Sequence, residues 1–324
     1  MTTSGTTVFN FNRNQIIYAA LRKLGAIASG ETPDQQTVQD CADQLNSMVK
    51  AWVAAGIHIW TTVEAVLFVQ QGQIQYNIGS GTTNTVVAQI YTNTELTNVA
   101  PLGSTSIVVA LATNAAIGGQ IGVTLNSGFI FWTTIQSVSG LNIGIASPLT
   151  DSAAALLPVY IASPNIDRPL RIPSVRRWQS QSLIEVPLIP LSRLDYQWLP
   201  NKNVLGDVTQ YYYNPQGGAV NVGALFLWPA PVDTLNNNIK FTYNRILQDF
   251  NLAADTPDFP QEWVDTLVWN LARKMAPEYD CPTSRYQIIV TEAAATLELV
   301  QGWDREPESA YFGVNFDQIG YSPS

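Results

Sequence analysis

The sequence predicts an α+β protein: a helical bundle built from both chain ends, with a long antiparallel β insertion that contains a small SH3-like β-barrel. Three observations lead there. Apolar residues recur at helical spacing within residues 1–60 and again within 251–305. They alternate at a two-residue period through much of 61–250, and within 101–161 the alternating runs become short and are separated by glycine turns. At 324 residues the chain is long enough for two domains or for one domain with a large insertion.

Residues 1–12, MTTSGTTVFNFN, are small and polar with Phe9 and Phe11 as the only anchors, and are expected to be mobile or tied to a neighbouring segment. Ile17, Ala20, Leu21 and Leu24 then form a short helical stripe that Gly25 ends. Val38, Cys41, Ala42, Leu45, Val49 and Trp52 form a longer one that Gly56 ends. Thr32, Pro33 and Gln35 open the second helix, with Thr32 and Gln35 expected to act as a capping box, each side chain satisfying a free backbone N–H.

From Trp60 the period changes to that of strands. Val63, Ala65 and Leu67, then Ile74, Tyr76 and Ile78, alternate with polar residues, and Gly72 and Gly79 break the runs of this 61–100 β region. Within 101–161 five short strands are expected at 106–111, 120–125, 128–137, 141–146 and 158–161. Asn126, Ser127 and Gly128 form one hairpin turn, and Ser139 with Gly140 another. So many strands in so short an interval suit a closed barrel, because closure removes free sheet edges. The β region continues over 162–250, punctuated by Pro169, Pro173, Pro187, Pro190, Pro229, Pro231 and a Gln216-Gly217-Gly218 turn. Antiparallel strands are expected at 210–213, 224–228 and 239–243, with Asn236, Asn237 and Asn238 turning the chain before the last.

Residues 251–305 read as a helical hairpin. Val264, Leu267, Val268, Leu271 and Met275 form one continuous apolar stripe, opened by Pro260, with Asp258 expected to accept from the free N-terminal donors and Glu262 and Asp265 complementing the dipole. Pro277 and the Asp280-Cys281-Pro282 turn interrupt it. A second helix from about Thr283 carries Ile289, Ala293, Leu297 and Val300 on one side, with Gly302 as its stop. Residues 306–324 lack a helical period and space Tyr311, Phe312, Phe316 and Tyr321 among Gly, Ser and Pro. Such a segment either folds back on its own domain or is an arm that orders on a partner.

Composition narrows the function. Only 13% of residues are charged against 46% hydrophobic, so the surface must be built largely from Asn, Gln, Thr, Ser and Gly, which suits close subunit packing. A net charge of −9 argues against a general nucleic-acid binder, although an acidic wall lets DNA slide past without sticking. Cys41 and Cys281 are too few for a disulfide framework and read as inert thiols. No signal-peptide pattern and no apolar run of bilayer length is present, so a soluble protein made in a cytoplasm is expected, without membrane contact.

Recognisable catalytic chemistry is scarce, and the expectation is no enzyme, no metal and no cofactor. Triads and most zinc sites need histidine, and the chain has only His58, just past a helix end, where a loop or dipole role is the simpler reading. The GSG at 79–81 has no following helix to supply a phosphate with a dipole. Asp249, Asp255, Asp258 and Glu262 crowd one helix entrance; two such groups would serve a glycoside hydrolase, but capping explains them as well. Arg168, Arg171, Arg176 and Arg177, with Trp178, form the single basic cluster. They could meet a partner's carboxylates or line a DNA channel, or they could pair with the protein's own acids.

The opening RNQIIYAALRKLGAIASGETPDQQTVQDCADQLNSMVKAWVAAG, the mid-chain LSRLDYQWLPNK with QYYYNP and LFLWPAP, and the closing DFPQEWVDTLVWNLARKMAPEYD with GWDRE resemble the head-to-tail adaptor proteins of short-tailed bacteriophages. These are also called tail accessory factors or packaged-DNA stabilisation proteins. The resemblance covers both helical ends and the later β segments, and leaves 101–161 outside it. It implies a virion structural protein at the head-tail interface, present in the host cytoplasm before assembly. Such a protein binds the portal after DNA packaging as a twelve-fold homo-oligomeric ring, extends the channel for passing double-stranded DNA, and offers a docking surface to tail or nozzle proteins. It also implies that the helix pairs and the C-terminal arm, here with Tyr311, Phe312, Phe316 and Tyr321, make the portal contacts. The alternatives from other classes are a virion-associated peptidoglycan glycoside hydrolase and a carbohydrate-binding tail module using aromatics such as Trp178.

Overall fold

A computed structural model describes Gly5 and residues 9–56, 61–80, 82, 85–179, 182–217, 221–232 and 237–303. The protein is a mixed α+β chain, richer in strand than in helix, with several antiparallel sheets. It divides into two compact units. One takes residues up to Trp60 and from Gln248 onward; the other is Thr61–Leu247.

In the first unit, α1 (Arg13–Leu24) opens with a capping box that the sequence reading did not identify: Asn12 Oδ1 accepts from Gln15 N at 2.9 Å, and Gln15 Oε1 accepts from Asn12 N at 2.9 Å. Gly25 ends it at φ +78°, and a Cβ there would lie 1.4 Å from Nη1 of Arg285, which donates to Leu24 O. Only glycine satisfies both demands. The cap of α2 (Gln35–Ala54) differs from expectation. Asp34, not Thr32, accepts from Thr37 N, and Gln35 is already helical. A carboxylate one residue before the first turn is a better acceptor for these donors than a hydroxyl three residues back.

A 3-10 turn, Gln261–Trp263, leads into α4 (Val264–Met275), which follows the short mid-chain helix α3 (Arg193–Trp198) in chain order. Neither start has a side-chain cap hydrogen bond at its N-cap position. Asp258 Oδ2 instead receives Gln248 N. The five expected stripe residues of α4 are all buried, and α4 packs against α1, α2 and α5 (Thr283–Trp303). Asn270 crosses to α5 by donating to Ala293 O at 3.1 Å, and Thr266 Oγ1 donates to Thr296 O. Trp52 of α2 packs on Trp263 and Phe259 at 5.8 and 6.3 Å. Gly302 lies inside α5 rather than beyond it. Phe9 N donates to Gln261 Oε1, which ties the described part of the N-terminal segment to this unit.

The second unit holds three principal sheets. β1 (Thr62–Phe68), β3 (Val86–Ala88), β10 (Arg171–Gln179), β11 (Ile184–Pro187) and β17 (Asn237–Asn244) form a sheet in the order β11-β10-β17-β1-β3. β2 (Gln75–Ile78), β12 (Ile189–Pro190), β14 (Gln210–Asn214) and β15 (Gly223–Trp228) form a second, and β13 (Leu205–Gly206) pairs with β16 (Ala230–Pro231). Their facing residues close one core: Ala65, Leu67, Val175, Ile239 and Phe241 meet Tyr76, Ile78, Tyr211, Leu225 and Leu227. The alternation expected for β1 is replaced by burial of both faces. Val66 and Phe68 point the other way, into a cluster with Ile130, Tyr160 and Ala162.

Those last residues belong to the third sheet, which joins β4 (Tyr91–Glu95), β5 (Ser106–Val108), β6 (Gln120–Thr124), β7 (Ile130–Ser139), β8 (Asn142–Ile145) and β9 (Pro158–Ala162) in the order β4-β9-β6-β7-β8-β5. It curls over its own core of Ile107, Ile121, Val123, Ile135, Ile143, Ile145, Val159 and Ile161. The expected five-stranded closed barrel is not what forms. A sixth strand, β4, lies before residue 101, and the end strands β4 and β5 meet beyond their ends at one isolated bridge, Leu96–Val109, in place of a ladder. β4 reads YTNTE, with no apolar alternation to betray it. Both hairpin turns stand as expected, with Gly128 and Gly140 at positive φ.

Asn237 and Asn238 are the first residues of β17 rather than a turn; Asn236 lies outside the described residues. Pro173 sits inside β10, where the ladder to β17 carries a bulge between Arg171 and Ser174, because proline offers no N–H to a ladder.

Leu271, fully buried between α4 and its neighbours, is the test of that packing. Leu271→Ala is expected to cost about 3 kcal/mol, and Ile288→Ala on exposed α5 surface less than about 0.5 kcal/mol, both measured by urea unfolding. Equal costs would remove α4 from the centre of the unit.

Candidate functional site

β10 carries the basic residues that the sequence singles out. Its two-residue period sends Arg176 and Trp178 to one face and Arg177 to the other, so the four arginines do not converge on one surface. Arg176 meets Glu64 of β1 and, at 3.4 Å, Glu185 of β11. Glu185 also receives Lys240 Nζ of β17 at 2.8 Å, and the same ammonium lies 3.8 Å from the centre of the Trp178 ring. The result is a network over four strands in which two acids answer two bases, Glu185 bridging Arg176 and Lys240. Lys240's hydrogen bond is the chief cause that holds the Glu185 carboxyl below its ordinary value of 4.5, against a smaller opposing effect of burial.

Arg177 is buried on the side of the sheet-sheet core and contacts Asp207. Its Nε is buried without a hydrogen-bond partner. Arg168 donates to Pro215 O at 3.0 Å, and Arg171 stands exposed at the start of β10. The charges that answer these arginines, Glu64, Glu185 and Asp207, escaped the sequence reading. Glu64 lies far away in sequence, Asp207 thirty residues beyond Arg177, and Glu185 on the next strand of the hairpin, and it is the pairing of strands that brings each near.

Of the acids at the entrance to α4, Asp249, Asp255 and Asp258 have a structural task. Asp249 pairs with Lys50 at 2.6 Å; Asp255 Oδ2 accepts from Asn251 N and Leu252 N at 2.8 and 2.6 Å; Glu262 is exposed. Burial pushes the Cys41 thiol up to about 11, against the lowering effect of the Tyr279 hydroxyl, so thiolate is scarce at neutral pH. Cys281 is half-buried. Among the described residues no group of three or more His, Cys, Asp or Glu is placed to hold a metal ion, and no helix is long and apolar enough to cross a membrane. His58, and Tyr311, Phe312, Phe316 and Tyr321 of the expected arm, lie outside the described residues.

The surface offers a different candidate, along the run from Leu183 to Leu205. α3 has its own capping box, Ser192 with Asp195, and buries a single side chain, Tyr196, against Tyr212 and Phe226 at 5.5 and 5.0 Å. Leu194 and Trp198 consequently face solvent, Trp198 with 76% of its surface exposed. Leu183, Ile184, Ile189 and Leu205 in the same run of sequence are also more than half exposed. Leu183 adds a second cost by sitting at φ +56°, a region that branched side chains avoid. On α5, Ile288 and Leu299 are exposed although Ile289, Ala293 and Val300 already bury the opposite face. Exposed apolar side chains, where they form a contiguous patch, are a general mark of interaction surfaces.

No protein-family model matches the chain, and no curated protein matches it.

Because Glu185 is depressed in the folded state, its contribution is present above about pH 4.5 and is lost as pH falls through the folded value. Glu185→Gln is expected to cost less than about 1 kcal/mol at neutral pH, as surface pairs do. The gap between mutant and wild type should close on acidification. A gap independent of pH, in urea titrations at several pH values, would assign the effect to packing instead.

Proposed function

We propose that this chain is a virion structural protein, the subunit of a head-to-tail adaptor ring. The ring would bind a portal after DNA packaging, extend the DNA channel and present a docking surface to the tail. The observation that carries the proposal is the uncovered apolar surface of the Leu183–Leu205 segment, joined to a low charge content and a net charge of −9. A ring subunit must bury lateral surface against copies of itself, and a negative lumen keeps passing DNA from adhering. The sequence resemblance to adaptor proteins of short-tailed bacteriophages points the same way and supplies the twelve-fold symmetry and the portal as partner.

In this reading the helices from both chain ends form a single bundle that is the docking body. The six-stranded sheet is a small SH3-like module inserted on the β region. Residues 306–324 form the portal arm, with Tyr311, Phe312, Phe316 and Tyr321 filling pockets on the partner. Arg176 and Arg177 are engaged by the protein's own acids, so of the basic cluster Arg171 is the better placed for a DNA or partner contact.

Mass measurement of the purified chain, alone and mixed with portal, tests the reading. Wild type is expected to form a ring on the portal. Trp198→Glu and Leu194→Glu should reduce assembly about tenfold or more while leaving the fold intact, since both side chains are exposed. A chain ending at Arg305 should stay folded and fail to bind the portal. A wild-type chain that remains solitary beside portal would overturn the proposal, and normal assembly of the truncated chain would overturn the role of the arm.

A further inference from the structure

Beside the cluster where the six-stranded sheet packs on β1 and β3 lies a cleft of about 470 Å³, a volume that suits a small ligand. A cross-strand pair, Gln120 of β6 and Thr134 of β7, lines it. Trp132 forms one wall. The indole lies over Gly122, where a Cβ would come within 2.7 Å of the ring, and packs against Phe68 at 4.9 Å, so both a missing side chain and a neighbouring ring hold it in place. Asn165 lines the cleft as well. Its amide donates to Thr82 O and Thr85 O at 2.9 Å each, and its Oδ1 accepts from Val87 N.

Two properties of this cleft select its ligand. No charged residue lines it among the described residues, which removes the usual means of holding a phosphate, a carboxylate or an ammonium. Yet its polar groups are not all used up. Asn165, Thr82 and Thr133 spend their side chains on the fold, Thr133 Oγ1 by accepting from Ser147 N, whereas among the described residues the side chains of Ser80, Gln120, Thr134 and Ser147 find no hydrogen-bond partner. Hydroxyls and a carboxamide each both donate and accept. Beside them the indole offers an apolar wall.

We infer that this cleft binds a neutral, polyhydroxylated ligand, one or two units of an uncharged saccharide. Sugar hydroxyls, which also donate and accept, would pair with Gln120, Thr134, Ser80 and Ser147, while the C–H face of a ring packs beside Trp132. The inference does not rest on the assembly reading, because saccharide binding by the isolated chain is independent of whether rings form. It also places the sugar away from Trp178, whose face Lys240 covers.

The experiment titrates the full chain with maltotriose, chitotriose and pyrophosphate, following saturation-transfer NMR and titration calorimetry. Saturable binding of at least one trisaccharide is expected, unchanged by added salt, with no binding of pyrophosphate. Thr134→Val, which keeps the side chain's shape, and Ser147→Ala should each weaken it about five- to tenfold, the usual effect of losing one ligand hydrogen bond. Trp178→Ala should leave it unaltered. Thermal unfolding of each variant checks that the fold is intact. The inference is overturned if neither trisaccharide binds saturably, if pyrophosphate binds more tightly than both, or if trisaccharide binding survives Thr134→Val and Ser147→Ala undiminished.

Discussion

The pairing of β1 with β17 is the constraint on which the rest of the architecture depends. It joins Thr62–Phe68 to residues 238–244 in unbroken antiparallel register, from Thr62↔Asn244 to Phe68↔Asn238, and Arg245 N adds a further bond to Thr61 O at 2.9 Å. The first and last strands of the β region thus form a stem. Everything between them can be long and elaborate because the entropy of closing a loop rises only with the logarithm of its length. The stem also returns the chain to its point of departure, which lets helices separated by most of the sequence contribute to one compact unit.

The same two strands impose the layering. A strand covered on both faces needs apolar residues at consecutive positions, and β1 supplies Ala65, Val66, Leu67 and Phe68 in a row. Odd positions enter the sandwich with the four-stranded sheet; even ones enter the cluster with Ile130 and Tyr160. Towards β10 and β11 that even face carries charge instead, and there Glu64, Arg176, Glu185 and Lys240 neutralise one another with Trp178 beneath the lysine. A sheet face can be apolar at one end and ionic at the other because each patch is satisfied by its own cross-strand neighbours.

The distribution of what remains outside is informative. Charge in this protein is sparse and, where strands meet, largely paired internally, while exposed apolar side chains occur on α3 and its flanking segments, on the outer face of α5 and along the strands and turns of the six-stranded sheet. α3 is instructive. Six residues long and anchored by one tyrosine, it gains little from the protein's own core, yet it holds Trp198 and Leu194 out in water. Its geometry makes sense as a presented surface, which is the physical basis for reading the chain as a subunit of a larger assembly.

The sequence by itself determined the elements whose signal is local. The stripes of α1, α2 and α4 were legible because helical period and burial coincide in them, as were the Gly25 terminator and the hairpins at Gly128 and Gly140, where a positive φ leaves its mark on residue type. The candidate site was legible only as a list of residue types. Tertiary structure alone decided that Arg176 meets Glu64 and Glu185, that Arg177 turns inward to Asp207, and that Gln120, Thr134, Ser147 and Asn165 surround one neutral cleft. Strand order and register set these meetings, and both depend on contacts between residues far apart in the chain, which no local period records. For the same reason β4 escaped notice: its residues are polar, and its place at the edge of the six-stranded sheet comes from pairing with β9, not from any pattern of its own.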